Sequence, residues 1–275
     1  MTFGTRLREA MDIRGPMCAG IDPHPGLMDT WGLTDSADGL EKFAMAAVEG
    51  FASRVAAVKP QSAFFERHGA KGIAVLERVI AESRAAGALV VLDVKRGDIG
   101  STAQAYADAY LDQTSPLAAD AITASPYLGF GSLMPMIDTA IANDAGVFVL
   151  ALTSNPEGPD VQHAMTADGC TVAGSILSEI RSRNAGAHPL GSIGAVVGAT
   201  IDDTGEDFAI NGPLLVPGIG AQGGTADDVR RIFAGSLRNV LPSSSREILA
   251  AGPDRASLRA AADQEASIFT RLLST

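Results

Sequence analysis

Thiols are nearly absent: Cys18 and Cys170 are the two cysteines in 275 residues, and neither stands in a C-x-x-C or Cys/His spacing. That excludes a disulfide scaffold and a zinc-finger type of metal site, and it leaves free thiols in a reducing cytoplasm as the expectation. Aromatic residues make up only 5%, so the interior must be built from Ala, Val, Leu, Ile and Gly, which suits tight α/β layering. Positive charge is also in short supply. With 21 Lys and Arg against 32 Asp and Glu, the formal net charge is -11, and nucleic acid is not an expected partner because a phosphate backbone needs clustered cations. No apolar run approaches the twenty residues that span a bilayer, so no membrane association is expected. The first fifteen residues lack the apolar centre of a signal peptide, so a cytoplasmic protein is expected. The first strand-like segment is followed by D-P-H-P-G rather than G-x-G-x-x-G, which argues against an open dinucleotide-binding sheet.

What is there is alternation. Short apolar, β-branched runs at Met17–Asp22, Ala56–Lys59, Ala88–Lys95, Ala121–Ser125, Gly146–Thr153, Ile193–Gly198, Leu214–Ile219 and Asn239–Pro242 read as strands. Helical repeats lie between them at Asp38–Val55, Ile73–Arg84, Thr102–Leu111, Leu133–Asn143 and Thr171–Asn184; in the second, Ile73, Leu76 and Ile80 share one stripe. Thr225, ahead of Asp227 and Asp228, reads as a helix N-cap. Between the sixth and seventh strands, Ile201–Gly212 is too short, acidic and glycine-containing for a full helix. Eight strands mostly followed by helices predict a parallel sheet, and eight is the number that closes a (β/α)8 TIM barrel. No linker or composition break divides the chain, so residues 1–275 are expected to form one barrel domain with N-terminal and C-terminal helical segments.

In such a barrel the reacting groups sit at the C-terminal ends of the strands. The run A-L-V-V-L leads directly into D-V-K-R-G-D-I, placing Asp93, Lys95 and Asp98 at one strand end. Strand alternation points Asp93 and Lys95 the same way, with Val94 opposite. Lys59 ends the neighbouring strand and Asp22 ends the first. Asp93, Asp98, Lys59 and Lys95, two acids and two amines, form either a structural ion-pair plug or an electrostatic device for chemistry, and ionisable groups at that end of a barrel favour chemistry. The loop Gly218–Gly224 is glycine-rich, and Arg246 lies in the loop after the last strand. Glycines at positive φ let backbone N–H groups approach an anion, and a guanidinium adds a bidentate fork, so a phosphate is the expected occupant rather than a merely flexible turn. His24 and His68 are candidate acid–base groups or solvated loop residues; His163 and His188 read as surface. Phe64, Phe65 and Trp31 read as packing residues, and neither cysteine is assigned a chemical role.

D-V-K-R-G-D-I at Asp93–Ile99 resembles the D-x-K-x-x-D signature of the orotidine 5'-phosphate decarboxylase family. V-K-P-Q-S-A-F-F-E at Val58–Glu66, S-P-Y-L-G at Ser125–Gly129, T-S-N-P at Thr153–Pro156 and V-P-G-I-G-A-Q-G-G at Val216–Gly224 resemble its longer bacterial branch. The matches run in order from Asp22 to Arg246. The resemblance implies cofactor-free, metal-free decarboxylation of orotidine 5'-phosphate to UMP, with Lys59, Asp93, Lys95 and Asp98 as a charged tetrad and Lys95 as proton donor to C6. It further implies that Asp98, with Ile99 and Thr102, reaches the neighbouring site of a homodimer. Asp22 would hold the ribose together with Lys59, and Ser154 would contact the pyrimidine. Gly220, Gln222, Gly223 and Arg246 would grip the phosphate. The chain departs from the pattern at Gly131, where an acid is expected, and at Glu157, where a glycine is common.

Three other readings use the same residues. A sibling barrel would employ D-x-K-x-x-D with Mg²⁺ to decarboxylate a keto-sugar phosphate or catalyse an aldol-type addition, and the V-K-P-Q and T-S-N-P segments weigh against it. A Schiff-base aldolase would make Lys95 a covalent nucleophile. A non-catalytic barrel would only bind a pyrimidine nucleotide.

Overall fold

The computed structural model describes residues 1–201, 204–219 and 223–273. Eight parallel strands close in sequence order: β1 (Cys18–Ile21), β2 (Ala57–Pro60), β3 (Leu89–Arg96), β4 (Ala121–Ala124), β5 (Gly146–Leu152), β6 (Ile193–Val197), β7 (Leu214–Pro217) and β8 (Val240–Ser244). This is the (β/α)8 TIM barrel that the alternation predicts.

The period of two sorts each strand into two cores. Val58, Val90, Leu92, Ile122, Val149 and Val216 face outward into the large core shared with the helices. Cys18, Ala57, Val91, Ala121, Phe148 and Leu215 face inward and fill the barrel axis. Small residues on β1, β2 and β4 oppose larger ones on β5 and β7, so the lower barrel is packed rather than hollow. The helix Phe3–Arg14, N-capped by the Thr2 hydroxyl on the Thr5 N–H, closes the N-terminal end. Phe3, Leu7, Ala10 and Met11 from this helix join the axial core, and Phe3 packs edge-on against Phe148 at 6.0 Å.

The helices follow their apolar stripes. In Ala37–Phe51, capped by Ser36, residues Leu40, Phe43, Ala44, Ala47 and Phe51 are buried on one face. The expected continuation to Val55 tightens instead into a 3-10 turn, Ala52–Arg54, before the chain enters β2. The helix expected at Ile73–Arg84 extends over Gly69–Ala85, and a long C-terminal helix occupies Arg255–Leu273. No helix lies between β6 and β7 among the described residues, in line with the stunted segment. No helix among those residues is long and apolar enough to cross a membrane.

One boundary needs correcting. The serine run after Pro242 reads as a loop by composition, yet Ser243 and Ser244 belong to β8 and are buried. Barrel closure decides this: β1 pairs Cys18 with Ser243 and Ala19 with Ser244, and the ladder overrides the turn preference of serine.

Candidate active site

The strand ends surround a cavity of about 580 Å³ at the C-terminal rim, lined among others by Asp22, Lys59, Asp93, Lys95, Ser154 and Arg246. Its floor is apolar, formed by Leu150, Val196 and Leu215 from the axial layer. Charges above such a floor interact more strongly than they would in water.

At the centre lies Asp93, with its side chain only 7% exposed. Its Oδ2 accepts from Lys59 Nζ at 3.0 Å; its Oδ1 accepts from Lys95 Nζ at 2.6 Å and from Thr123 Oγ1 at 2.8 Å. Burial alone would raise the Asp93 pKa, but Lys59 and then Lys95 outweigh it and hold the carboxyl well below the usual range. Burial likewise disfavours the Lys59 ammonium, yet Asp93 and Asp22 reverse the balance and its pKa lies above the ordinary lysine value. Lys59 is as buried as Asp93, whereas the Lys95 side chain is 45% exposed to the cavity. One carboxylate lies between two ammoniums, and the exposed Lys95 ammonium is the one a ligand meets.

β3 delivers Lys95 through an irregularity. The β3–β4 register shifts between Leu92 and Arg96, and within that bulge Lys95 takes a left-handed backbone conformation with φ of 45°. Val94 still faces outward into the helical core, so Asp93 and Lys95 share the cavity side as alternation predicts.

Asp22 borders the same cavity, and its buried Oδ1 has no hydrogen-bond partner among the described residues, so the acceptor is left for a ligand hydroxyl. Gly20, two residues earlier, is required by close approach: a Cβ there would lie 2.6 Å from Cβ of Ser245 across the β1–β8 seam. At the opposite side Gly218 (φ 95°) and Gly223 (φ 88°) turn the loop after β7, and the Gly224 N–H donates to the Gly218 carbonyl at 3.1 Å to pinch its neck. Gly218 borders the cavity, while Gly223 does not line it. Gly220 and Gln222 lie outside the described residues. Thr225 and Asp228 form a full capping box for the helix Ala226–Ile232 that follows. Arg246 is exposed on the rim, with no carboxylate paired to it among the described residues.

Asp98, Ile99 and Thr102 do not line the cavity. The Asp98 carboxylate accepts from the Ile99 N–H at 2.8 Å, and Ile99 is 63% exposed. The four-member network expected at the rim is thus a three-member one within the single chain. Several cavity residues escaped the sequence reading. Phe64, read as packing, faces the cavity, while Phe65 is core; of the two acid–base candidates, His24 lines the wall with its ring 4.2 Å from that of Phe64. Gln61 and Ser243 also line it. His68 lies off the cavity, 3.6 Å from Asp35. Strand-end position was the available signal, since Thr123 shares the inward face of β4 with Ala121. Gly131 and Glu157, the two departures, stand outside the Asp93 cluster; Glu157 accepts from the Asn155 amide.

A model of the orotidine 5'-phosphate decarboxylase / HUMPS family matches residues 15–261. A curated relative from Salinispora arenicola, named orotidine 5'-phosphate decarboxylase, is 63% identical over 264 residues, covering 96% of this chain and 95% of its own. Another of that name, from a Nocardioides species, is 67% identical over 250 residues, covering 90% and 91%. A solved Streptomyces avermitilis structure assigned to orotidine 5'-phosphate decarboxylase superposes with a TM-score of 0.98 at 56% identity, covering 100% of this chain and 96% of that one.

Proposed function

Because the chain belongs to the orotidine 5'-phosphate decarboxylase / HUMPS family, we infer that it converts orotidine 5'-phosphate to UMP and carbon dioxide in pyrimidine biosynthesis. The observation that carries the mechanism is the half-exposed Lys95 ammonium, held by Asp93 at 2.6 Å over an apolar floor.

Cleavage of the bond between C6 and the carboxylate leaves the electron pair on C6, in an orbital that the ring does not delocalise. Lys95 Nζ stabilises that charge electrostatically as it develops and then donates a proton to C6, ending as a neutral amine that solvent reprotonates. Asp93 orients Nζ, and Lys59 keeps Asp93 ionised. The site carries this chemistry on its own residues, without a cofactor. The free Oδ1 of Asp22, with Lys59, receives the ribose hydroxyls, and Ser154 contacts the pyrimidine. Arg246, with Gly220, Gln222 and Gly223, grips the phosphate, whose binding energy is expressed in the transition state. Asp98, Ile99 and Thr102 complete the site of a second copy in a homodimer. The exposed Ile99, together with Tyr127 and Leu128 on the adjoining loop after β4, supports that contact. The setting is the cytoplasm.

The test is direct. EDTA-treated protein mixed with orotidine 5'-phosphate is expected to show the ultraviolet change to UMP at full rate. Absence of turnover, or turnover restored only by Mg²⁺, overturns the reading.

A further inference from the structure

The left-handed conformation of Lys95 raises the question of what holds it. A non-glycine residue at positive φ is costly and persists only where its surroundings fix it. The bulge takes the Lys95 N–H out of the β3–β4 ladder, so it needs another acceptor. That acceptor is a side chain: the Lys95 N–H donates to Thr123 Oγ1 at 2.9 Å. The same hydroxyl donates its own proton to Asp93 Oδ1 at 2.8 Å, the oxygen that also accepts from Lys95 Nζ at 2.6 Å. A hydroxyl has one proton to give, and here it is given to the carboxylate while a lone pair takes the amide. Thr123 is 1% exposed.

The ladder resumes at once beyond the bulge. Arg96 pairs with Ala124, and its carbonyl accepts from the Ser125 N–H at 2.8 Å. Its guanidinium donates to Glu66 at 2.6 Å and to the Tyr110 hydroxyl at 3.2 Å, lying over the Tyr106 ring. The chain is therefore pinned on the far side of Lys95. Among the described residues, Thr123 supplies the one side-chain bond to the Lys95 backbone.

We propose that Thr123 is a positioning residue for the decarboxylation: its hydroxyl fixes the Lys95 backbone and the Asp93 carboxylate together, and so sets where Nζ stands. This rests on the proposed reaction. A proton donor displaced by an ångström loses much of its rate advantage while the ribose and phosphate contacts, made elsewhere, persist.

Three variants test it with steady-state kinetics on orotidine 5'-phosphate and a thermal melt. Thr123→Val is near in shape and lacks the hydroxyl; Thr123→Ala lacks it without crowding the site and serves if the valine protein does not fold. Both are expected to lower kcat about ten- to hundred-fold with KM within about threefold, and Thr123→Ser is expected to restore most of kcat. Folded valine or alanine proteins with wild-type kcat, a serine protein as slow as they are, or a loss carried by KM would each overturn the proposal. Wild-type protein inert towards this substrate would instead sink the reaction itself. A crystal structure of Thr123→Val decides the positioning role independently of activity: Lys95 released from positive φ, with Nζ moved off Asp93, supports it, and an unchanged Lys95 refutes it.

Discussion

Asp93 and Asp120 are both buried, each between two cations, at opposite ends of the barrel wall. Asp120 precedes β4 at the N-terminal end. It accepts from Arg6 at 2.6 Å, Arg84 at 3.2 Å and the Val90 N–H at 2.9 Å. Its partners come from the helix Phe3–Arg14, the helix Gly69–Ala85 and β3, so one carboxylate ties three elements together. The Asp93 side chain is as buried as that of Asp120, but one of its cations is an ammonium exposed to an open cavity. Guanidiniums form fixed forks, whereas a lysine Nζ is a mobile point charge able to give up a proton. Burial and pairing are thus alike in the two places; the exposure of one partner and the space before it separate a fastening from a reactive centre.

Removing the exposed partner gives the largest expected effect. Lys95→Ala should lower kcat by about 10⁴-fold, through loss of both proton donor and charge stabilisation, while circular dichroism stays native. Substantial residual turnover would erase the distinction. Exchanging each carboxylate for its amide should split the two roles. Asp93→Asn is expected to cut kcat by about 10²-fold or more. Asp120→Asn should leave kcat intact and reduce stability by about 1–3 kcal/mol, read as a melting point several degrees lower. Equal loss of activity in both variants would contradict the comparison.

Acid and base sharpen it further. The depressed Asp93 pKa stabilises the fold above the ordinary carboxylate value near 4, and that contribution is lost as pH falls through the lower folded value. The raised Lys59 pKa contributes fully below the ordinary lysine value near 10.4 and is lost as pH rises through the higher folded one. The melting-point gap between wild type and Asp93→Asn should therefore be flat between about pH 5 and 9 and narrow below about pH 4. The smallest effect concerns the thiols. Burial pushes Cys18, in the layer beneath Asp93, up to about 12, whereas Cys170 is exposed. A thiol reagent at neutral pH should titrate one group in the native chain and two after denaturation. Cys170→Ser should change stability by less than about 0.5 kcal/mol.

The barrel was legible because strand and helix periods alternate along the chain except between β6 and β7, and the reactive rim because Asp93 and Lys95 follow a run of Leu and Val on one strand. The failures have local causes. Ser243 and Ser244 looked like loop because a serine run carries turn preference, and only closure onto β1 makes them strand. Asp98 lies off the cavity of its own chain, beyond the bulge, and the chain by itself does not test its expected place in a neighbouring site. Thr123 was legible as a polar residue near the end of β4, but its role depends on a left-handed residue on another strand, which no periodicity reveals. His24 was named as an acid–base candidate beside His68, and only the fold separates them by setting His24 against Phe64 in the cavity wall.

The N-terminal helix that fills the foot of the barrel has one more consequence. Phe3, Leu7 and Met11 stop that end and the axial residues pack above them, so among the described residues the cavity opens at the C-terminal rim. Carbon dioxide released at the Lys95 end therefore meets packed side chains below it and faces the same rim by which the nucleotide enters.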